Sequence, residues 1–149
     1  MEKNESGFVL IELTVVLLIV SIMIFIPTLS IDKMIKTTQI DSFFQELSNN
    51  VTLMQNHAIL NDEATQVQFY KGSKGDVIDF KVIGSSEHPL NRKMVLDSEH
   101  YSFSTNRADF RFSKGTGNIS KSGTVNFNTS KGSYSFTYWL GSGRFEIRQ

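Results

Sequence analysis

A nearly unbroken apolar run over residues 8–26 constrains this 149-residue chain more than any other feature. The polar interruptions in the run are Glu12, Thr14 and Ser21. Such a run approaches the roughly 20 residues that a helix needs to cross a bilayer. Because a charge at bilayer depth costs roughly 2.5–3.5 kcal/mol, the position of Glu12 predicts a functional role and a cationic partner, most naturally an amine.

The residues Gly7-Phe8-Val9-Leu10-Ile11-Glu12 resemble the processing site of type IV pilins and pseudopilins. Precursors in that family carry a short polar leader, a Gly at the cut, a Phe next, and Glu at the fifth mature position. The resemblance implies that a prepilin peptidase cleaves between Gly7 and Phe8 and methylates the new Phe8 amine. It also implies that Glu12 neutralises the Phe8 amine of a neighbouring subunit during assembly. The competing interpretation is a plain signal anchor with Glu12 among the lipid headgroups.

This resemblance implies a domain organisation and a set of partners. Residues 1–7 are the expected leader, 8–29 the transmembrane or filament-core helix, and 30–149 a globular pilin-like head. The chain would cross the cell membrane once with its N-terminus in the cytoplasm, and would later reach the cell surface within a pilus. The implied partners are other major and minor pilins, the prepilin peptidase, the pilus assembly platform protein, and the membrane before assembly.

Past Pro27 the apolar residues recur mostly at spacings of three and four, which predicts one face of a continuing helix to about residue 60. This predicted core face comprises Ile31, Met34, Ile35, Ile40, Phe43, Phe44, Leu47, Val51, Met54 and Ala58. The polar residues left for solvent include Asp41, Gln45, Asn49 and Gln55.

From residue 64 onward, short aromatic and β-branched runs alternate with turn residues, which predicts antiparallel strands. The predicted strands are 65–70, 77–83, 101–103, 109–112, 124–128, 134–140 and 144–147. The predicted inward residues are Phe110, Phe112, Phe127, Phe136, Tyr138 and Phe145. The predicted fold class is therefore α+β and pilin-like, with a long N-terminal helix packed on a C-terminal antiparallel sheet. The first half of this long helix is predicted to be an apolar stalk, and its second half is predicted to be amphipathic.

The sequence does not predict an enzyme, a cofactor or a metal site. With no cysteine, the chain has no disulfide, thiolate ligand or thiol nucleophile. His57, His88 and His100 lack the spacing of a metal-ligand set. Asp76 and Asp79 flank a predicted strand start, where a polar strand edge explains them better than a catalytic pair. No catalytic residue is predicted.

The C-terminal third is basic, since residues 107–149 carry seven Lys and Arg against two acids. Candidate DNA-contacting residues there are Arg107, Arg111, Lys114, Lys121, Lys131, Arg144 and Arg148, with Tyr138 or Trp139 available to stack on bases. The other interpretation is that these charges keep a strand-rich surface soluble and prevent edge pairing. Convergence of the charges beside an exposed aromatic residue would favour DNA binding, and scattered charges would favour solubility.

The hairpin region at residues 112–127 also resembles that of minor pseudopilins. Among these, the short leader, the absence of cysteine, the length and the glycine-marked head look most like competence pseudopilins of the ComGD kind. This resemblance implies a minor subunit of a competence-type pilus that supports DNA uptake in natural transformation. Two alternatives remain open at this point. One is a minor pseudopilin of a type II secretion system, and the other is a signal-anchored surface domain that binds DNA.

Overall fold

A computed structural model describes residues 5–98 and 100–149, with side chains described for residues 10–25, 38–98 and 100–149. Helical backbone covers α1 (Glu5–Leu60). Eight strands follow: β1 (Thr65–Gly72), β2 (Gly75–Val82), β3 (Arg92–Val95), β4 (Tyr101–Phe103), β5 (Arg107–Phe112), β6 (Gly123–Thr129), β7 (Gly132–Tyr138) and β8 (Phe145–Arg148). The chain divides into two compact units, Met1–Gln39 and Ile40–Gln149.

The predicted fold class is wrong. The second unit is a mostly-β body with two four-stranded antiparallel sheets, where the prediction had one sheet packed on a helix.

Each sheet contains four strands, and neighbouring strands are not always consecutive in the chain. The first sheet has the order β3-β2-β1-β5, and the second sheet has the order β4-β6-β7-β8. Every pairing is antiparallel. Strand β5 pairs with the edge of β1 that does not face β2, with Val67 opposite Phe110. Strand β4 lies between β3 and β5 in the chain but belongs to the second sheet, where it pairs with β6.

Aromatic side chains explain why two sheets form. The inner face of the first sheet presents Phe69 and Phe110, both fully buried. Their rings contact aromatic rings of the second sheet: Phe69 lies 5.8 Å from Phe103, and Phe110 lies 4.4 Å from Tyr138 between centroids. One helix cannot cover the apolar faces of eight strands, so the sheets bury those faces against each other.

The helix stretch in the second unit completes this core. Six of the predicted core-face residues are buried and Phe43 is partly buried: Ile40, Phe44, Leu47, Val51, Met54 and Ala58. Ile31, Met34 and Ile35 lie outside the described side chains. Asp41, Gln45 and Asn49 are exposed as predicted.

Gln55 was predicted to face solvent, and that prediction is wrong. Its amide nitrogen donates to the carbonyl oxygens of Gly117 (3.2 Å) and Gly143 (3.0 Å), so it joins the helix to two turns. Both turn glycines have positive φ, a conformation that other residues adopt only at a cost. Their carbonyl oxygens would lack these partners without the amide.

The strand predictions are largely confirmed. All seven predicted strands exist, with boundaries that differ by up to two residues. One strand, β3, was missed because its residues Arg92-Lys93-Met94-Val95 show little apolar alternation. Its position is fixed by pairing with β2 and by a hydrogen bond that the Arg92 guanidinium donates to Asn50 on the helix (2.6 Å).

Candidate functional site

The predicted processing residues lie at the start of α1. Gly7 and Phe8 have helical backbone, and the Phe8 side chain lies outside the described ones. Glu12 is exposed within residues 10–25, here called the apolar stretch, in which it is the one charged residue. The Thr14 hydroxyl donates to the Ile11 carbonyl oxygen (2.8 Å), and the Ser21 hydroxyl donates to that of Leu17 (2.7 Å). Both hydroxyls are therefore satisfied inside the helix.

The apolar stretch is exposed at every residue. Thirteen large apolar side chains in it are between 44% and 70% exposed. Among the residues whose side chains the structure describes, no helical stretch is both long enough and apolar enough to cross a membrane.

The seven candidate DNA-contacting residues do not converge. Four of them form ion pairs: Lys114 with Asp62, Lys121 with Asp109, Lys131 with Asp41, and Arg148 with Glu146. The hydrogen bond from Lys121 holds the pKa of Asp109 below its usual range. Most of this set therefore resembles the scattered, paired charge of an ordinary soluble surface.

The aromatic candidates also behave differently from each other. Tyr138 is buried against Phe110, and burial raises the pKa of its hydroxyl. It therefore cannot stack on a base, and its burial confirms the predicted inward position. Trp139 is 36% exposed, but the Arg144 guanidinium lies over its ring at 5.8 Å, a cation–π arrangement.

A different set of cations does converge, on the outer face of the first sheet. A groove of about 430 Å³ lies there, here called the basic groove. It is lined by Gln68, Tyr70, Lys71, Asp79, Lys81, Lys93, Asn106 and Arg107. Four cationic side chains and one carboxylate thus line the groove, beside a half-buried tyrosine ring. The groove therefore carries an excess of positive charge.

Strand register explains why these side chains share one face. Gln68 lies opposite Asp79, Asp79 lies opposite Lys93, and Tyr70 lies opposite Arg107. Phe110 and Phe112 on β5 point into the core, so Arg107 and Arg111, at alternate positions, point outward. Of the seven predicted residues, Arg107 alone lines the groove.

Sequence reasoning missed Lys71, Lys81 and Lys93 because it counted charge along the chain. These lysines precede the basic C-terminal third and reach Arg107 only through the pairing of β1 with β5. The alternation of Asp79 and Lys81 at outward positions on β2 was the available signal.

The two acidic residues near the start of β2 are not a polar strand edge, and that interpretation is wrong. Asp79 is 2% exposed, and its carboxylate lies 2.9 Å from the Lys81 ammonium. Asp76 is also buried and accepts a hydrogen bond from the Phe103 backbone N–H on β4. Asp79 therefore sets the charge at the floor of the groove, whereas Asp76 connects the two sheets.

The histidines also form an arrangement that spacing did not reveal. His57 near the end of α1 and His88 in the β2–β3 loop both direct Nε2 toward the Glu63 carboxylate, at 2.8 and 3.9 Å. His100 stands apart and pairs with Asp97 at 3.0 Å. Residues 57, 63 and 88 are brought together by the fold of the loops around them.

No family model, no curated protein and no solved structure matches this chain. The described residues therefore define three candidate features by their chemistry alone. These are the apolar stretch with Glu12, the basic groove, and the cluster of two histidines around Glu63.

Proposed function

We propose that this chain is a minor subunit of a type IV pilin-class surface filament, anchored in the membrane before assembly. It takes no part in catalysis. Its finer role is in a competence-type pilus that supports DNA uptake, which is supported by the resemblance of the short leader, the cysteine-free composition and the glycine-marked head to competence pseudopilins. A type II secretion pseudopilin is the alternative with the same N-terminal chemistry.

The observation that carries this proposal is the apolar stretch. An exposed apolar surface of this size is unfavourable in water, at about 25 cal/mol per Å² of apolar area. Side chains on every side of the helix are exposed, so a single protein surface could cover one face only. Lipid, or several neighbouring helices in a filament, can surround such a helix completely.

Glu12 adds a second requirement, a cationic partner for its carboxylate. A carboxylate within this surface is tolerated when it is paired, and the Phe8 amine that cleavage after Gly7 creates on a neighbouring subunit would supply the cation. The N-terminal segment is what supports a filament subunit, whereas the second unit has two sheets instead of the predicted single-sheet head.

The first experiment measures the N-terminal mass of the protein from membranes and from sheared surface filaments. Cells with and without the prepilin peptidase are compared. We expect a chain that starts at methylated Phe8 in the filament fraction, and this form should require the peptidase. A Gly7→Leu variant serves as the control, because a bulky side chain at the cut should block processing without changing the apolar stretch.

An intact Met1 start confined to membranes in both strains would contradict the proposal. The chain would then be a signal-anchored surface domain, and the basic groove would be its principal functional feature.

A second candidate function is favoured by the basic groove itself. We infer that the second unit binds a polyanion, DNA in the competence setting, along the outer face of the first sheet. Lys93 and Arg107 stand on opposite sides of the groove on β3 and β5, both exposed, with Tyr70 between them. Phosphates can contact the cations while a base stacks on the tyrosine ring.

The test reverses two groove charges in the full-length protein, held in nonionic detergent. We expect Lys93→Glu with Arg107→Glu to reduce DNA retention roughly tenfold or more near physiological salt. The slope of log affinity against log salt should fall by about two, because two phosphate contacts are lost. DNA retention on immobilised protein, measured over a salt series, gives both quantities.

The matched control is Lys114→Glu with Arg148→Glu, which makes the same change in net charge at exposed positions outside the groove. This pair should alter retention far less. Equal losses in both double variants would show that DNA binding follows net charge and that the groove is not the binding site.

A further inference from the structure

The strongest feature that the proposed function leaves unused is the His–Glu cluster, formed by His57, Glu63 and His88. One ligand atom from each residue lies within 4.8 Å of the others. The cluster joins the last turn of α1 to the β2–β3 loop. His57 is 8% exposed, His88 is 22% exposed and Glu63 is 47% exposed at the side chain. Two histidines are thus held largely out of water, while the carboxylate remains accessible.

The loop that carries His88 is tied in place by one side chain. The Asn91 side-chain oxygen accepts from the Val82 backbone N–H (2.8 Å), and its nitrogen donates to the Ser85 carbonyl oxygen (2.8 Å). The Asn91 backbone N–H also donates to the His88 carbonyl oxygen (2.9 Å). A hydrogen bond from Ile83 N–H to the Ala64 carbonyl oxygen holds this loop against the loop that carries Glu63.

The geometry points to a divalent transition-metal site of the zinc class at the His–Glu cluster. Two imidazole nitrogens and a carboxylate oxygen are a ligand set that suits zinc, with a fourth position open to solvent. The spacing of the histidines predicted no metal site, because residues 57 and 88 lie far apart in sequence. This site is independent of the filament proposal and would exist in any assembly state.

The ligand separations fit with a small adjustment. Tetrahedral zinc with bonds of about 2.0–2.2 Å places its ligand atoms about 3.3 Å apart. The two separations to the Glu63 carboxylate, 2.8 and 3.9 Å, lie on either side of that value, and all three ligand atoms lie within 4.8 Å of one another. Glu63 and His88 are the more exposed members, so their side chains can move toward a shared ion while the packed His57 ring stays in place.

Metal binding would have to change the hydrogen bonds that the other ring nitrogen of each histidine makes. Nδ1 of His57 contacts the Asn61 side-chain amide at 2.7 Å, and Nδ1 of His88 accepts from the Leu90 backbone N–H at 3.2 Å. Binding a metal through Nε2 of a neutral imidazole places the ring proton on Nδ1. Asn61 can accept that proton after its amide turns over. At His88 the hydrogen bond from Leu90 must break, which gives the site a local spectroscopic signature.

The expected consequence is a metal tie between the helix end and the β2–β3 loop. A ligand that binds the folded state alone stabilises it in proportion to the logarithm of its concentration over its dissociation constant. In a chain without disulfides, such a tie would hold the loop next to β3, which forms one wall of the basic groove.

The experiment uses the full-length protein without a histidine tag, in nonionic detergent and chelator-free buffer. Zinc chloride is titrated by calorimetry, and thermal unfolding is followed with zinc and with EDTA. We expect one zinc per chain and a rise in Tm of several degrees. His88→Gln and Glu63→Gln should each weaken zinc binding roughly tenfold or more. The Leu90 amide resonance should shift on zinc addition in the wild type.

His100→Gln is the matched control, because it removes a histidine that pairs with a carboxylate outside the cluster. It should leave zinc affinity unchanged. Circular dichroism of each variant without zinc checks that the fold persists. The metal site is overturned if zinc leaves Tm unchanged, if affinity survives in His88→Gln, or if His100→Gln loses affinity equally.

Discussion

Replacing Glu12 with alanine is expected to leave the protein in the membrane and to reduce its filament-incorporated fraction more than tenfold. The physical reason is the Phe8 amine of the neighbouring subunit, which would lose its counter-charge on entering apolar surroundings. Removing one partner of a buried ion pair costs about 3–5 kcal/mol. The measurement is the ratio of this subunit in sheared filaments to that in membranes, determined by quantitative mass spectrometry.

Thr14→Ala is the control for this substitution. It removes a polar group two residues away in the same exposed stretch, and the lost hydrogen bond is local to the helix. Its filament fraction should equal that of the wild type. If Glu12→Ala assembles as well as Thr14→Ala, the carboxylate has no role in assembly. Processing at Gly7 should be unchanged in both variants, which separates cleavage from assembly.

Replacing Phe127 with alanine is expected to cost the second unit about 3–5 kcal/mol, the usual range for a buried phenylalanine. Phe127 is fully buried where the helix and both sheets meet. Its ring centroid lies 5.4 Å from Phe44 of the helix, 6.2 Å from Phe69 of the first sheet and 5.1 Å from Phe103 of the second. Truncation leaves a cavity that three separate elements would have to close.

This loss is a large share of the roughly 5–15 kcal/mol by which a domain is stable. We expect the Tm of the full-length protein in detergent to fall by about 10–20 °C. Leu140→Ala is the control, since Leu140 is 64% exposed and its truncation should change stability by about 0.5 kcal/mol or less. A Phe127→Ala loss near that of the control would mean that the three elements do not share one core.

Local patterns predicted the individual elements well. Alternation of apolar and polar residues located seven of the eight strands, and a spacing of three and four located the buried helix face from Ile40 to Ala58. Strand β3 was missed because its side chains are mostly exposed and show no alternation. Its place is decided by β2 and by Asn50 on the helix, which are contacts distant in sequence.

The candidate sites, like strand β3, depend on contacts between residues that are distant in sequence. Charge counted along the chain directed attention to the C-terminal third, where four of seven cations are paired with carboxylates. The basic groove instead combines Arg107 with lysines from β1, β2 and β3. The His–Glu cluster likewise joins residues from the helix end and two loops. Neither grouping corresponds to a spacing in sequence.

The sequence by itself determined the apolar stretch with its single carboxylate, the Gly7-Phe8 motif that the filament proposal uses, and the alternating faces of most strands. These are properties of neighbouring residues, and backbone periodicity translates them directly into local structure. The tertiary structure alone decided that the strands divide into two sheets, that Gln55 joins two turns, and which charges and histidines meet. Those outcomes depend on which elements pack together, because the aromatic face of one element must be covered by apolar residues from elements that lie far away along the chain.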